Sequence, residues 1–200
     1  MTEPSPRPIP VTDIRGHGLR LCPWDPEADT DAETYLRGCG DPEFRRWNTP
    51  LLPITDLESA RAALRTRAAA VHDGTGVSYR VEDARTGTPL GHIGVTDIDF
   101  AVRVGRVGYW VLPEARGRGV ATRALLLAAD WAFGELGLHR LELDHAVGHA
   151  VSCKVAERCG FRYEGTMRGA LFEAERRDAF RDAHLHARLA TDRVESAPGG

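Results

Sequence analysis

The sequence predicts an α/β fold, more specifically an α+β mixed sheet of about seven strands with helices on both faces. Two observations support this prediction. Segments with strand periodicity alternate with segments of helical periodicity along the 200 residues. In addition, strand 106–112, helix 119–136 and strand 141–147 follow one another in the order of a crossover connection, which joins parallel strands. We therefore expect these two strands to be parallel neighbours.

The element boundaries follow from periodicity and from turn residues. The expected strands cover 18–22, 77–81, 92–98, 106–112, 141–147, 161–171 and 183–189. The expected helices cover 29–39, 55–71, 119–136 and 149–159, and a turn with a short helical segment covers 41–47. Thr55 is expected to begin its helix with Glu58 as the second member of a capping box. Gly160 is expected to end the helix before it.

The chain is expected to form one domain over residues 17–192. Residues 1–16 are expected to be a flexible segment, because the start of the chain is polar and rich in proline, and residues 193–200 a disordered tail. The four cysteines, Cys22, Cys39, Cys153 and Cys159, form no CxxC pair and suggest no disulfide framework. We expect them to be reduced thiols that pack as small apolar groups.

Charge and hydropathy exclude several classes of partner. The formal charge of −3 argues against a nucleic-acid-binding surface, which requires a basic excess or stripe. No run of about 18 apolar residues occurs, so no membrane partner is expected. The N-terminus lacks the basic start and apolar block of a signal peptide. A cytoplasmic location is therefore expected.

The most informative stretch lies between the strand ending near Leu112 and the long helix that follows: Arg116-Gly117-Arg118-Gly119-Val120-Ala121-Thr122. Glycine permits positive φ and lets the backbone approach an anion closely. Unpaired N–H groups and the helix dipole favour negative charge at a helix start. The stretch matches neither GxGxxG, because residue 122 is threonine, nor the nucleotide P-loop, which requires Gly-Lys-Ser/Thr. It predicts a phosphate site to which Arg116, Arg118 and Arg123 add positive charge.

The pattern Arg116-x-x-Gly119-x-Ala121 resembles the Arg/Gln-x-x-Gly-x-Gly/Ala signature of the GNAT N-acetyltransferases. The chain is most similar to the RimJ/RimL-like branch, which acetylates protein N-termini. The resemblance extends over about 19–189 and includes Asp41-Pro42-Glu43 with Trp47, Gly91–Gly94, Gly108–Val111 and Ser152–Phe161. It implies that strands 106–112 and 141–147 splay apart and that CoA enters between them, with its pantetheine pairing to the backbone near Val111.

The same resemblance implies acetyl-CoA as co-substrate and a set of residues that contact it. These are Val111, Leu112, Arg116, Gly117, Arg118, Gly119, Val120, Ala121, Thr122, His149 and Ser152. The N–H near Val111 is the implied donor to the developing oxyanion. His149 replaces the asparagine usual in the family, and we interpret it mainly as a substitute structural contact.

Amide formation also requires a base for the amine and a proton donor for the departing thiolate. Asp144, on the strand beside the implied cleft, is the best carboxylate for the base, with a solvated strand carboxylate as the alternative. Its neighbour His145 points to the opposite face, so only one of the two is expected to face the cleft. Tyr109 and Trp110 alternate in the same way, one towards the core and the other towards the cleft.

The sequence departs from the family at the proton donor. Ala156 stands where many members have tyrosine, and Ser152 matches the serine implied in the RimL-like branch. The acidic partner of that serine corresponds to Leu171 here, so Glu164 or Glu173 would have to replace it. Ser152 can also simply hydrogen-bond its own helix or the CoA chain.

No metal is expected. His145 and His149 are separated by a strand-to-helix boundary, His184 and His186 are two apart, and neither pair has cysteine or acidic ligands close by in the sequence. The GNAT reaction itself requires no metal.

The sequence thus predicts transfer of an acetyl group to a primary amine, with a protein or peptide N-terminus as the first choice. A small molecule, such as an aminoglycoside, a polyamine or an amino acid, is the alternative acceptor. Succinyl-CoA is an alternative donor if Arg106 faces the cleft, and a non-catalytic CoA-binding module is the alternative outside enzymes. The resemblance also implies that a homodimer can form.

Overall fold

A computed structural model describes residues 8–192, which form one eight-stranded sheet of order β1-β2-β3-β4-β5-β6-β8-β7. The strands are β1 (Ile14–Gly16), β2 (Leu19–Pro23), β3 (Val77–Asp83), β4 (Pro89–Asp99), β5 (Val104–Val111), β6 (Arg140–Ala146), β7 (Arg162–Glu173) and β8 (Arg176–Leu189). The helices are α1 (Asp29–Gly40), α2 (Pro42–Trp47), α3 (Leu57–His72), α4 (Val120–Gly134) and α5 (Ala150–Arg158), and a single 3₁₀ turn covers Pro113–Ala115. None of these helices is long and apolar enough to cross a membrane.

The sheet opens at its middle. Strands β5 and β6 are parallel, as expected for a crossover through α4, but they pair only where Val104–Arg106 meets Arg140–Glu142. Strand β6 then pairs along its whole length with β8 instead. The remaining parts of β5 and β6 therefore diverge and leave a gap at their C-terminal ends. This confirms the expected mixed sheet with a splayed strand pair.

Apolar residues cover both faces of the sheet, as the α/β prediction requires. On one face, α4 buries side chains over most of its circumference and packs with α5 against the strands. On the other face, α1 and α3 pack over a smaller cluster that includes Trp24, Tyr35, Leu64 and Trp110. Burial of large apolar and aromatic side chains on both sides supplies the main stabilisation of such a layered fold.

Three boundaries differ from the sequence-based expectations. The N-cap of α3 is Asp56, whose carboxylate accepts from the Ser59 N–H at 2.8 Å, so the expected box of Thr55 with Glu58 is displaced by one residue. The segment expected to be flexible contains β1, and Ile9 is only 4% exposed. Strand β8 begins at Arg176, several residues before the expected start, because backbone pairing with β7 does not depend on apolar side chains. Residues 1–7 and 193–200 lie outside the described part.

Candidate active site

The loop before α4 has the backbone geometry that an anion site requires. Gly117 and Gly119 have φ of +72° and +69°, and a Cβ atom on either would meet nothing within 4 Å, so the space beside both is open. Gly119 is the N-cap of α4 and provides no side-chain acceptor. The N–H groups of the first turn, which have no partner within the helix, are therefore not capped by that residue. Contact of this loop with a phosphate remains a prediction.

Two of the three arginines expected to attract the phosphate have partners within the chain that hold the loop in place. The Arg116 guanidinium pairs with Asp41, and its Nε donates to the Val111 carbonyl at 3.2 Å. Arg123 donates to the His17 carbonyl at 2.8 Å and so connects α4 to the β1–β2 turn. Arg118 is exposed on the loop. The positive field at the loop therefore depends more on the helix start than on free arginines.

Asp41 connects this loop to α2. Its carboxylate accepts from the Phe44 N–H at 2.9 Å as the N-cap of α2, and it also accepts from Arg116.

Replacing an N-cap aspartate by alanine costs about 0.5–2 kcal/mol of stability. We expect Asp41→Ala to show this loss in urea unfolding and also weaker acetyl-CoA binding. Asp56→Ala, which removes the cap of α3 only, should lower stability to a similar degree without changing acetyl-CoA affinity; equal acetyl-CoA affinity in both variants would contradict the loop-holding role.

The free edge of β5 faces the gap between the strands. Leu112 donates its N–H to the Leu90 carbonyl of β4 at 2.9 Å, and its side chain is buried. Successive N–H groups of a strand point to opposite sides, so the Val111 N–H points away from β4 and into the gap. This is the position required of the predicted oxyanion donor and of a backbone partner for pantetheine. Of the two predicted cofactor contacts on this strand edge, Val111 and Leu112, Val111 is therefore better placed to donate its N–H to a ligand in the gap.

A cavity of about 930 Å³ lies beside the gap. Its walls come from α1, α2, the segment 48–54, α3, the end of β4, the middle of β5, the C-terminal half of β6, the start of α5 and part of β7. Asp144, His149, Ser152 and Tyr109 all line it. The structure thus brings together the predicted base Asp144, the predicted proton donor Ser152 and the predicted cofactor contact His149, and it adds Tyr109.

Asp144 reaches the cavity wall next to a guanidinium. Its Oδ1 lies 3.3 Å from the Arg106 Nε, and its side chain is only 13% exposed. Arg106 also lies near Glu142 and Asp97, at 3.7 and 3.8 Å. His145 contributes to the same wall, but its ring lies on the opposite face of β6, where it contacts His186. Asp144 is therefore the carboxylate of β6 that can accept a proton from an amine in the cavity.

Tyr109 provides a functional group that the sequence analysis did not assign. Its hydroxyl lies 3.0 Å from the Ser152 hydroxyl, across the gap between β5 and α5. Burial raises the pKa of Tyr109 to about 12, although the hydrogen bond with Ser152 acts in the opposite direction. The phenol therefore keeps its proton at neutral pH and can donate it. Strand alternation indicated that Tyr109 or Trp110 would face the cleft, but it could not indicate which.

The side chain of Trp110 lies on the face of β5 opposite to that of Tyr109. It packs against Trp24 and Tyr35 and stacks on His92, with ring centroids 5.5 Å apart. Trp24 donates to the Nδ1 of His92 at 3.1 Å. Burial lowers the pKa of His92 well below its usual range, so this ring is neutral. The group forms a rigid aromatic layer below α1.

The other positions at which the sequence departs from the family are also located. Ala156 is buried in the core beneath α5. Leu171 lines the cavity, so an apolar side chain stands where the branch has its acid. Glu164 forms an ion pair with Arg140 at 2.6 Å, and this partner lowers the pKa of Glu164. Neither Glu164 nor Glu173 is among the described residues that line the cavity.

His149 stacks on Trp47, with ring centroids 4.5 Å apart and planes within 2°. Burial, with a smaller contribution from His145, lowers the pKa of His149 to about 4. The ring is therefore neutral at pH 7 and packs α2 against the start of α5 at the cavity rim. A direct contact of His149 with the cofactor remains a prediction.

An open glycine loop at a helix start, a gap between parallel strands and a cavity beside that gap are the features of an acyl-CoA-dependent N-acyltransferase. The chain belongs to the GNAT acetyltransferase family, because the acetyltransferase (GNAT) domain matches residues 19–162. The resemblance and the fold expected from the sequence are thereby confirmed.

Individual relatives agree with this assignment. A putative ribosomal N-acetyltransferase, YdaF of Bacillus subtilis, is 37% identical over 43% of this chain and 47% of its own length. A spermidine N(1)-acetyltransferase of Vibrio cholerae is 30% identical over 48% of this chain and 54% of its own. The chain thus matches about half the length of each. The solved structure of RimL, a ribosomal L7/L12 alpha-N-protein acetyltransferase in complex with coenzyme A, has a TM-score of 0.79, with 18% identity over 89% of this chain and 98% of that one.

Proposed function

We propose that this protein transfers the acetyl group of acetyl-CoA to the α-amino group of a protein or peptide N-terminus. The observation that carries the proposal is the convergence of Asp144 and the Tyr109–Ser152 pair on one cavity. The Val111 N–H lies on the free edge of β5 at the strand gap beside that cavity. These groups correspond to the base, the oxyanion donor and the proton donor of acyl transfer.

The proposed binding site for acetyl-CoA has two parts. The pyrophosphate would bind at the open loop Arg116–Thr122, and the pantetheine would extend along the free edge of β5 towards Val111. A structural neighbour that was solved in complex with coenzyme A supports CoA as the bound group. The thioester carbon would then lie between Asp144 on β6 and Ser152 on α5, in a position to react with an amine in the cavity.

The proposed chemistry places modest demands on the base. An α-amino group has a pKa near ~8, so roughly a tenth is already neutral at pH 7. Asp144, directly or through water, would accept the proton of the remainder. The thiolate that leaves would receive a proton from the Tyr109–Ser152 pair, and the Val111 N–H would stabilise the oxyanion. Correct positioning of the amine supplies the rest of the acceleration.

The residues that line the cavity favour a peptide acceptor. The cavity wall includes Leu51 and Leu52, whose side chains are 72% and 75% exposed, in a loop between α2 and α3. Exposed apolar residues beside a cleft are typical of a surface that binds another chain. Asp97 and Asp144, which also line the cavity, would attract the cationic amine. A polyamine acceptor is the alternative, since these carboxylates and the spermidine-acetylating relative are consistent with it.

Acetyl-CoA is favoured over succinyl-CoA. Binding a succinyl carboxylate requires a cation that is available in the cleft, and Arg106 was the candidate. Arg106 is surrounded by Asp97, Glu142 and Asp144 within 3.8 Å. Its charge is therefore already balanced.

The direct test incubates the purified protein with acetyl-CoA and either peptides that differ in their first residue or spermidine. Mass spectrometry locates the added acetyl group. Acetylation at the peptide α-amine supports the proposal. Acetylation of spermidine alone favours the small-molecule alternative. Binding of acetyl-CoA without transfer to any amine would indicate the non-catalytic module.

Asp144→Asn should lower kcat by about 10²-fold, because general acid–base catalysis contributes about 10²–10⁴. The isosteric amide keeps the shape of the wall, so the affinity for acetyl-CoA should not change. The control is Glu142→Gln, which alters another carboxylate near Arg106 on the same face of β6 but outside the cavity lining. Release of the CoA thiol gives the rate, and equal kcat in the two variants would remove Asp144 as the base.

A further inference from the structure

Three histidines and a cysteine meet on the face of β6 opposite to Asp144. His145 lies on β6, His184 and His186 on β8, and Cys153 on α5. One ligand atom from each lies within 4.8 Å of the others. The sheet register places His145 directly opposite His184. The start of α5 brings Cys153 over the pair of strands.

Two of the distances within this cluster match those between ligands of one tetrahedral metal ion. The Nε2 atoms of His145 and His186 are 3.3 Å apart, and the Cys153 Sγ is 3.6 Å from the His186 Nε2. Zinc binds imidazole nitrogen at about 2.0–2.1 Å and thiolate sulfur at about 2.3 Å, and tetrahedral angles then separate two nitrogens by roughly 3.3–3.4 Å and a nitrogen from sulfur by roughly 3.5–3.6 Å. Both measured distances agree with these values.

The hydrogen bonds of the two buried rings leave their Nε2 atoms as acceptors. The His145 Nδ1 lies 3.1 Å from the Ala146 carbonyl, and the His186 Nδ1 lies 3.4 Å from the Phe161 carbonyl. A carbonyl only accepts, so a ring that makes this hydrogen bond carries its proton on Nδ1. With both rings in that tautomer, the two Nε2 atoms, 3.3 Å apart, would each have a lone pair.

A cation shared by the two rings would relieve the repulsion between the Nε2 lone pairs of this tautomer. Histidine that binds a metal through one nitrogen while donating the other N–H to a backbone carbonyl is the usual second-shell arrangement.

We propose that His145, Cys153, His184 and His186 form a binding site for a divalent transition metal of the zinc class. Imidazole and thiolate ligands select such ions, whereas Mg²⁺ and Ca²⁺ require oxygen ligands. The absence of a metal expected from the sequence rested on the lack of a cysteine close to the histidines. The fold supplies that cysteine through α5.

The bound ion would connect β6, β8 and α5 at the point where β6 has left β5. Asp144 precedes one ligand and Ser152 precedes another. The ion would therefore hold two walls of the cavity in register without taking part in the acyl transfer. Cys153 and His184 are partly exposed, which gives the ion a route from solvent. Binding would release the thiol proton of Cys153, so affinity should fall as the pH is lowered.

The test uses the full chain after removal of metals by chelation and dialysis. Titration with Zn²⁺ against a chromophoric chelator should give one ion per chain, and added Zn²⁺ should raise the melting temperature. Co²⁺ in place of Zn²⁺ should give the intense visible bands of tetrahedral coordination and a thiolate-to-metal charge-transfer band. Absence of stoichiometric binding, or an octahedral Co²⁺ spectrum, would overturn the proposal.

Variants separate this site from adventitious binding. Cys153→Ser and His184→Ala should each weaken Zn²⁺ binding by more than the roughly 10–100-fold typical of second-shell changes, and Cys153→Ser should abolish the charge-transfer band. The controls are Cys39→Ser, a buried cysteine outside the cluster, and His72→Ala, an exposed histidine at the end of α3. Both control variants should bind Zn²⁺ with the affinity of the unaltered protein. Equal affinity in all four variants would refute the site, and none of these readouts depends on acetyl transfer.

Discussion

Gly119→Trp should abolish acetyl-CoA binding while leaving the fold intact. The Cβ position at Gly119 opens onto free space, so an indole there would fill the volume in which the pyrophosphate is proposed to bind. The N–H groups at the start of α4 would be covered at the same time. A ligand that binds only the folded state stabilises it by about 2.7 kcal/mol at a hundredfold excess over Kd. Thermal unfolding with and without acetyl-CoA should show this shift in the unaltered protein and none in the variant.

The strain of the substitution requires its own control, because a tryptophan with positive φ is unfavourable wherever it lies. Gly137→Trp provides it. Gly137 has φ of +70° and nothing within 4 Å of its Cβ position, but it lies beyond the opposite end of α4. This variant should lose a similar amount of stability and keep the full acetyl-CoA shift. If Gly119→Trp also keeps that shift, the loop is not the pyrophosphate site.

Removal of the Tyr109 hydroxyl should have the second large effect. Tyr109→Phe and Ser152→Ala are each expected to lower kcat by about 10²-fold or more, within the 10²–10⁴ that a positioned proton donor contributes. With a pKa near 12, Tyr109 holds its proton across neutral pH, so it can donate to the departing thiolate throughout this range. Steady-state rates at saturating acetyl-CoA measure the effect, and the KM for acetyl-CoA should change little after Tyr109→Phe.

The two hydroxyls are expected to act as one unit. The double variant should therefore be only slightly slower than either single variant, since groups in one hydrogen-bonded pair are not additive. Tyr163→Phe is the matched control, because it removes a tyrosine hydroxyl that bonds only to the neighbouring Thr166 in an exposed position. Undiminished kcat in Tyr109→Phe would leave Ser152 or water as the donor, and strictly additive losses would contradict a shared role.

The order and type of most elements were predictable from the sequence. Strand and helix periods are local properties, and so is the preference of Gly117 and Gly119 for positive φ. The phosphate loop was predictable for the same reason, since it depends on a strand, two glycines and a helix in succession. The crossover through α4 then required β5 and β6 to be parallel.

Boundaries set by backbone pairing were less predictable. Strand β1 and the first part of β8 show little alternation of apolar and polar residues. They form because β2 and β7 provide backbone hydrogen-bond partners. The side-chain partners of the arginines could not be predicted from the sequence either. The fold pairs Arg116 with Asp41, 75 residues away, a contact that no local pattern indicates.

The sequence by itself determined the fold class and the conformation of the glycine loop before α4, because both arise from residues close together in the chain. Only the tertiary structure decided which groups meet in the cavity. Tyr109 and Ser152 are 43 residues apart, and their contact depends on how α5 crosses the divergence of β5 and β6. The cluster of His145, Cys153 and the two β8 histidines arises in the same way, through strand register and helix placement. Long-range packing fixes such distances, and no local pattern encodes them.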